Sequence, residues 1–226
     1  MRITYIGQAG LYIEADGKRI IVDPYLSNSV EAIEPQNYRR VPIDESFLSI
    51  KPDVVICTHD HLDHTDPDTL SHYLGEDSHA LVLAPFGAWK HIRSFAAPGN
   101  NCVMFNAGTS WSEGELRFSA VRAEHSDREA IGVVIECEGK TVYVTGDTLY
   151  SKEVLEGAPR EPYALFLPIN GRGNNMNIAD AERFARMIGA RFTIPFHVGL
   201  FDEIDPRGFE CEGRIIPEIY REIIFE

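Results

Sequence analysis

The chain has 226 residues, of which 44% are hydrophobic and 25% are charged, and its formal net charge is −14 at pH 7. These proportions are ordinary for a soluble globular protein, and the length suits one domain with a sizeable core, so we expect residues 1–226 to form a single domain. So acidic a chain is not attracted to nucleic acid or to an anionic membrane, and no apolar run approaches the roughly 18 residues that a membrane span needs.

The first fifth of the chain predicts short strands followed by a long connection. The runs RITYIG, GLYIEA and KRIIVD are separated by glycine-bearing turns, as in strands joined by tight turns. Residues 24–50 then show only weak periodicity. A connection of this length in a compact domain is often a functional lid or binding loop, and an ordinary surface excursion with a short helix is the alternative.

The middle of the chain predicts two alternations of strand and helix. DVVICT is an apolar run typical of a strand covered on both faces. DPDTLSHYL predicts a helix, because Asp66 can cap its first turn and Pro67 suits the first helical position. ALVLAP then predicts a strand and FGAWKHIRSF a helix, in which Trp89 is expected to pack in the core.

A second group of strands follows, with one more helix before its last strand. Its members are NCVMF, ELRFSAVRA, IGVVIECEG, KTVYVTG, YALFLPI and, after the helix, RFTIPF. Asn177 can cap the helix IADAERFARMIG, which carries an apolar stripe and ends at Gly189. Strands in two batches, each followed by helices, predict two packed sheets with helices outside, a four-layer αββα sandwich of the α/β class.

Residues 58–66, THDHLDHTD, place three histidines and three aspartates directly after an apolar strand. In extended chain His59 and His61 point to the same side, so both imidazoles can reach one metal ion. Asp63 and His64 follow where the chain turns into the helix, and can face a neighbouring position. Imidazole and carboxylate together suit Zn²⁺, Mn²⁺ or Fe²⁺.

Three further candidate ligands lie where apolar strands meet loops. They are His125 in AEHSD, Asp147 in VTGDT and His197 in IPFHVG. Scaffolds present functional groups at such positions. Each residue alone would more often belong to a loop or a core, but with the HxHxDH motif they predict a metal site.

The motif HxHxDH, followed by one His, one Asp and one His at strand ends, resembles the metallo-β-lactamase superfamily. Within it, CTHDHLDHTDP, TGDTLYS, LPINGRGNNMNIADAERFA and IPFHVGLFDEIDP resemble the branch that contains the L-ascorbate-6-phosphate lactonases and related metal-dependent hydrolases. The resemblance extends over about residues 2–205. It implies the metallo-β-lactamase fold.

The resemblance also implies two divalent metal ions, Zn²⁺ or Mn²⁺, and a role for each ligand. His59, His61 and His125 would hold one ion, and Asp63, His64 and His197 the other. Asp147 would bridge them. Two ions about 3.5–4 Å apart can share a hydroxide that attacks the scissile carbonyl or phosphoryl group. Asp63 could accept or relay the proton, so Asp63 and Asp147 are the expected catalytic residues.

Several residues are candidates for supporting roles. In NGRGNN, Arg172 and Asn170 lie in a region that is near the active site of the resembling lactonases, and Arg172 could bind a phosphate or carboxylate or could simply be solvated in a glycine turn. Tyr150 is a further substrate-binding candidate. Asp23 could orient a metal-bound histidine or cap a loop. The histidines outside the motif are expected on the surface or on helix faces: His72, His79 and His91.

The leading hypothesis is a dinuclear metal-dependent hydrolase of a small anionic substrate, with a sugar-phosphate lactone favoured by the resemblance. The alternatives are a metal-dependent phosphodiesterase, because the same hydroxide attacks phosphorus, and a di-iron oxidoreductase on the same fold. No nucleic acid or membrane partner is expected, and a homo-oligomer is left open. The four cysteines form no CxxC pair and predict buried free thiols; they are Cys57, Cys102, Cys137 and Cys211. The first residues do not resemble a signal peptide, so a cytoplasmic location is expected.

Overall fold

In the computed structural model, which describes residues 1–226, thirteen strands pair into two sheets. In chain order the strands are β1 (Arg2–Gly7), β2 (Gly10–Ala15), β3 (Lys18–Val22), β4 (Val54–Ile56), β5 (Leu81–Ala84), β6 (Asn101–Met104), β7 (Ser110–Glu113), β8 (Leu116–Arg122), β9 (Ile131–Cys137), β10 (Lys140–Val144), β11 (Ala164–Pro168), β12 (Phe192–Phe196) and β13 (Arg221–Glu222). The runs predicted as strands all form strands.

Each sheet combines parallel and antiparallel pairs. The first sheet has the order β13-β1-β2-β3-β4-β5-β6, antiparallel as far as β3 and parallel from β3 to β6. The second has the order β12-β11-β10-β9-β8-β7, and only β10, β11 and β12 pair in parallel. The continuous apolar runs of β4, β5 and β11 fit this arrangement, because their side chains are buried on both faces.

Five α-helices accompany the sheets: α1 (Ser29–Ile33), α2 (Pro67–Tyr73), α3 (Phe86–Ile92), α4 (Lys152–Gly157) and α5 (Ile178–Ile188). The predicted caps are confirmed. Asp66 accepts a hydrogen bond from the Thr69 backbone N–H at 3.1 Å, and Asn177 accepts one from Asp180 at 3.0 Å. Gly189 ends α5 in the left-handed conformation, with φ +72°.

Three hydrophobic clusters define four layers. The largest lies between the sheets and draws buried residues from both of them. A second covers the outer face of the second sheet under α4 and α5, and a third covers the outer face of the first sheet under α2 and α3. The predicted αββα sandwich is therefore confirmed.

Some elements were not predicted. The strand β7 is a polar edge strand, β13 has two residues, and α4 is a short helix capped by Ser151. Residues 24–50 contain α1 and a 3₁₀ turn, Phe47–Ser49, within mostly irregular chain. None of the helices is long and apolar enough to cross a membrane.

All four cysteines are free, as predicted, but only half of them are buried. Cys57 and Cys137 lie in the interior, whereas Cys102 and Cys211 are partly exposed. The reason is position: Cys57 follows β4 between the layers, while Cys102 lies on β6 at the edge of the first sheet.

Candidate metal centre

The predicted ligands all meet at one edge of the sandwich. His59, His61, Asp63 and His64 follow β4, and the other three follow β8, β10 and β12: His125, Asp147 and His197. The strands β8, β10 and β12 run in the same direction within the second sheet, so their carboxyl ends reach the same edge. This edge faces the end of β4.

Three imidazoles form the first cluster. Nε2 of His59 and Nε2 of His125 lie 3.0 and 3.1 Å from Nδ1 of His61. Tetrahedral coordination with zinc–nitrogen bonds near 2.0–2.1 Å separates ligand atoms by about 3.3 Å, so the spacing fits a shared cation. The two imidazoles of His59 and His61 do meet, as the motif predicts, although residues 58–60 form bends and not extended chain.

The second cluster joins a carboxylate to two imidazoles. Oδ2 of Asp63 lies 3.6 Å from Nε2 of His64 and 3.4 Å from Nε2 of His197. The two Nε2 atoms are 3.4 Å apart. A hard oxygen with two imidazole nitrogens suits the same borderline divalent ions as the first cluster.

Asp147 lies between the clusters. Its Oδ1 is 3.4 Å from Nε2 of His64, and its Oδ2 is 3.1 Å from Nε2 of His197 and 4.0 Å from Nε2 of His125. Oδ1 is buried without a hydrogen-bond partner. A buried carboxylate oxygen without a partner is unfavourable in itself and is the atom that a cation would satisfy, so the donor set fits metal ions.

Gly146 brings Asp147 to this position. Its φ is +61°, and a Cβ there would lie 2.8 Å from the carbonyl oxygen of Ile131 and 3.0 Å from Cβ of Thr58. Any other residue would push the end of β10 away from the loop after β4. The sequence VTGDT therefore needs its glycine for close approach of the two sheets.

The charges of the site are tightly coupled. Burial, followed by repulsion from His64, holds the pKa of His59 well below its usual value, so its lone pair is free for a metal. Burial opposes protonation of His64 and His197 too, but neighbouring carboxylates, Asp147 foremost, raise the pKa of His64 well above its usual value and that of His197 to about 10. A divalent cation competes with these protons for the same nitrogens.

The two carboxylates show the complementary effect. Burial works against their negative charge, yet His64 and His197 hold the pKa of Asp63 below its usual value and that of Asp147 well below it. Both groups are therefore ionised across the physiological pH range. Ionised carboxylates are the form that binds divalent metal.

Asp23 performs both of the roles considered for it. Its Oδ2 lies 2.9 Å from Nδ1 of His64, which orients that imidazole. Its Oδ1 accepts the Thr58 backbone N–H at 2.7 Å, and its Oδ2 accepts the Thr58 hydroxyl at 2.6 Å, which holds the ligand loop to the end of β3. Asp23 is fully buried. Carboxylates in this position behind a histidine fix its tautomer and raise its basicity.

Two amide side chains that the sequence analysis missed support the carboxylates. Gln8 donates from Nε2 to Oδ2 of Asp63 at 2.7 Å, and its backbone carbonyl accepts the His197 N–H at 2.7 Å. Asn175 donates from Nδ2 to Oδ2 of Asp147 at 2.8 Å. The only local signal was a polar residue in the GQAG turn and the third asparagine of NGRGNN.

A cavity of about 380 Å³ opens onto the ligands. His61, Asp63, Asp147 and His197 form part of its lining. Polar residues from the loop after β11 line it as well: Asn170, Arg172 and Asn175. The lining also includes four apolar residues, Val30, Ile33, Leu62 and Phe201, and further polar residues, among them Gln8, Glu34, Asn37, Ser126 and Asp202. The size is that of a small-molecule site.

The three substrate-binding candidates differ in whether they line this cavity. Arg172 and Asn170 line the cavity, but Tyr150 does not. The Tyr150 ring packs edge-on against Phe184 of α5 and lies under the guanidinium of Arg183, because the chain turns away from the cavity after Asp147. The structure therefore places Tyr150 outside this cavity.

The other aromatic and histidine residues lie away from the site, as predicted. Trp89 packs against the third hydrophobic cluster and donates from Nε1 to the Cys102 carbonyl at 3.0 Å. His72 and His79 are exposed, and His91 is partly exposed. His91 pairs with Asp60 at 2.7 Å.

Known proteins share both the sequence pattern and the fold. A model of the β-lactamase superfamily domain matches residues 18–198. A protein from Geobacillus thermodenitrificans named UPF0173 metal-dependent hydrolase is 30% identical over 223 residues, which cover 92% of this chain and 91% of that protein. The sequence similarity therefore extends along nearly the whole of both chains.

Solved structures resemble the chain over its full length. A novel metallo hydrolase, Igni18, from the archaeon Ignicoccus hospitalis superposes with a TM-score of 0.78 and 21% identity, over 100% of this chain and 98% of that one. An isothiocyanate hydrolase from Delia radicum gut bacteria superposes with a TM-score of 0.76 and 21% identity, over 100% and 99%. At this identity the likeness shows the fold alone.

Proposed function

Because the chain belongs to the UPF0173 metal-dependent hydrolases of the β-lactamase superfamily, we propose that its centre is dinuclear and that it hydrolyses a small anionic lactone. The observation that best supports two ions is the position of Asp147, whose carboxylate lies between two ligand clusters and has one buried oxygen without a partner.

Each proposed ion has its own set of ligands from this chain. His59, His61 and His125 would hold one, and Asp63, His64 and His197 the other, with Asp147 shared. When bound, divalent cations lower the pKa of a coordinated water and polarise the scissile carbonyl group.

Asp63 is the better placed of the two carboxylates to move a proton. Its side chain is 20% exposed towards the cavity, whereas that of Asp147 is only 5% exposed. Gln8 holds Oδ2 of Asp63. Oδ1 is left to accept a proton from the attacking water and return it to the leaving alkoxide.

The charge of the cavity supports two cations and an anionic substrate. The lining contains one arginine and four carboxylates, so its formal charge is about −3 with neutral histidines; two divalent cations would make it about +1, whereas one would leave it negative. Arg172 is exposed and has no protein partner. Its guanidinium can therefore bind a carboxylate or phosphate of the substrate in a bidentate manner.

The preference for a lactone comes from the motifs. TGDTLYS, LPINGRGNNMNIADAERFA and IPFHVGLFDEIDP resemble those of the L-ascorbate-6-phosphate lactonases. Asp147 belongs to the first of these motifs, Asn170 and Arg172 to the second, and His197 to the third. The resemblance is therefore concentrated at the candidate site.

The direct test is hydrolysis by protein reconstituted with Mn²⁺ and, separately, with Zn²⁺. The substrates compared are a phosphorylated sugar lactone, an unphosphorylated lactone and a small phosphodiester. Turnover of either lactone is the expected result. Turnover of the phosphodiester alone would make the protein a phosphodiesterase, and iron in the purified protein with an optical redox signal would favour the di-iron oxidoreductase.

A further inference from the structure

The apolar part of the cavity forms one wall beside the ligands. Val30 and Ile33 come from α1, Leu62 from the loop after β4, and Phe201 from the loop after β12. Leu62 stands between two ligand positions in the chain, so the wall reaches the metal centre. Ile33 is 73% exposed although it is a large aliphatic residue. Single exposed apolar residues are common, but Ile33 lines the same cavity as the partly exposed Leu62 and Phe201 and the buried Val30.

A hydrophobic cluster of its own holds this wall in place. Tyr25, Val30 and Leu200 are buried together, and Leu62 and Phe201 pack against them. The Tyr25 hydroxyl accepts the Val30 backbone N–H at 3.1 Å, and the Tyr25 and Phe201 rings meet edge-on at 5.4 Å. The position of α1 beside the cavity is therefore specified by packing.

Arg39 ties the chain on either side of α1 into the same unit. Its guanidinium donates to the carbonyl oxygens of Tyr25, of Ser27 at 3.2 Å and of Val41 at 3.4 Å. It also lies over the Tyr25 ring, 5.1 Å from the centroid. One partly buried arginine thus closes residues 25–41 into a loop, which makes the wall a preformed surface.

Polar groups are distributed unequally around the cavity. The loop after β11 supplies Arg172 with its free guanidinium. At the outer end of the apolar wall Glu34 accepts a hydrogen bond from Asn37 at 2.6 Å, and its carboxylate would repel an anion. An anionic group of the substrate is therefore favoured on the Arg172 side, and a neutral apolar group on the Ile33 side.

We propose that residues 24–50 build an apolar subsite, and that the substrate is a lactone carrying an alkyl or aryl substituent rather than a sugar. This inference rests on the proposed hydrolytic function. Sugar hydroxyls placed against Ile33, Leu62 and Phe201 would lose water without gaining partners from these side chains, which is unfavourable, and the polar groups Glu34 and Asn37 at the outer end of the wall already bond each other. Each methylene buried there raises affinity about fourfold.

Calorimetry on the zinc-loaded full chain tests the subsite without any need for turnover. The probes are 4-hydroxyoctanoate and 4-hydroxybutanoate, the ring-opened forms of a butyl-substituted and an unsubstituted lactone. Wild-type protein should bind the octanoate at least about tenfold more tightly, because four more methylenes meet the wall. Ile33→Ser should reduce that preference severalfold, and Ile33→Leu should retain it.

Ile224→Ser is the matched control, because Ile224 is also exposed, at 60%, and lies outside the cavity. It should leave the preference unchanged. Equal affinity for the two acids, no binding of either, or equal effects of the two serine variants would overturn the subsite.

Hydrolysis of γ-octalactone and γ-butyrolactone, measured in parallel, separates the two proposals. Chain-length preference in binding, without hydrolysis of these two lactones or of the phosphorylated sugar lactone, would refute the lactonase and keep the subsite. Hydrolysis of both lactones with equal kcat/KM would keep the lactonase and refute the subsite.

Discussion

The Asn170 side-chain amide lies with Nδ2 3.0 Å from Nδ1 of His197, while its Oδ1 is buried without a hydrogen-bond partner. A His197 that offers the Nε2 lone pair to a cation carries its proton on Nδ1 and must donate from it. A 180° flip of the Asn170 amide about its Cβ–Cγ bond exchanges the positions of Nδ2 and Oδ1. That exchange gives the Nδ1 proton an acceptor and Oδ1 a partner, so we assign Asn170 to the orientation of His197.

Two substitutions of Asn170 test this orientation. Asn170→Asp keeps an acceptor and should retain zinc affinity within a few-fold, whereas Asn170→Ala should lower it about 10–100-fold. Competition with a chromophoric chelator measures both. If the aspartate variant loses as much affinity as the alanine variant, the amide acts as a donor and the assignment fails.

Removing the Asp23 carboxylate should weaken metal binding, because this carboxylate orients the His64 imidazole. Asp23→Ala leaves Nδ1 of His64 and the Thr58 N–H without their buried acceptor, so we expect about 10–100-fold lower metal affinity. The metal-free variant should also unfold at lower urea concentration, because its free energy of unfolding falls by about 1–3 kcal/mol for each buried group left unpaired. Asp53→Ala, which removes a partly exposed carboxylate paired with Lys18 and Arg19, should change neither; an unchanged Asp23→Ala would refute the orienting role.

Asp147→Ala should lower metal content and hydrolysis together, because it removes the only carboxylate that reaches both clusters. Elemental analysis after dialysis should find fewer than two ions for each chain. Turnover should fall by at least about a thousandfold, as for loss of a residue central to catalysis. Asp205→Ala removes an exposed carboxylate that pairs with Arg207 and serves as the control. Full retention of both ions in the Asp147 variant would contradict the bridging role.

Arg172→Ala should raise KM for anionic substrates and leave the melting temperature unchanged, because the exposed guanidinium has no protein partner to lose. The loss of a charged hydrogen bond of about 1.5–3 kcal/mol corresponds to roughly 10–150-fold in KM. Lysine at this position should recover part of the effect, since it keeps the charge without the bidentate geometry. Arg186→Ala, an exposed arginine on α5, should leave KM unaltered. A KM equal to that of the wild type would leave Arg172 as a solvated turn residue.

Chelation should lower the thermal stability of the whole chain. A ligand present at 100 times its Kd stabilises the folded state by about 2.7 kcal/mol, which corresponds to about 5–10 °C for a chain of this size. Differential scanning calorimetry before and after treatment with EDTA measures the shift, and added Zn²⁺ should reverse it. The Asp147→Ala variant should respond less. No shift in the wild-type protein would exclude tight metal binding at the site.

Local sequence patterns explain why the candidate ligand positions could be predicted from the sequence. His59 and His61 are two positions apart in the loop directly after β4, so they reach the same point, and Asp66 and Pro67 begin a helix for reasons contained within four residues. His125, Asp147 and His197 follow apolar runs, and the ends of such strands commonly present functional groups. The layers of the sandwich follow from the same alternation of apolar strands and helices.

The supporting contacts of the site could not be predicted from the sequence, because they join residues that are far apart in the chain. Gln8 meets Asp63 across 55 positions, and Asn175 meets Asp147 across 28, and neither pair has a local periodic signal. Tyr150 is close to Asp147 in sequence, but the turn after Asp147 directs it against α5. Chain distance was a poor guide there, because the path of the chain depends on how α5 packs on the second sheet.

The sequence by itself determined the types of side chain at the site and the ends of the strands that present them, because both depend on interactions between near neighbours. Only the tertiary structure decided which atoms meet: that Asp147 lies between two clusters, that Asp23 supports His64, and that apolar side chains from three loops form a wall beside them. These contacts form when the two sheets pack face to face and bring seven separate strand ends and loops to one edge. Their geometry is a property of that packing, and no stretch of chain contains it alone.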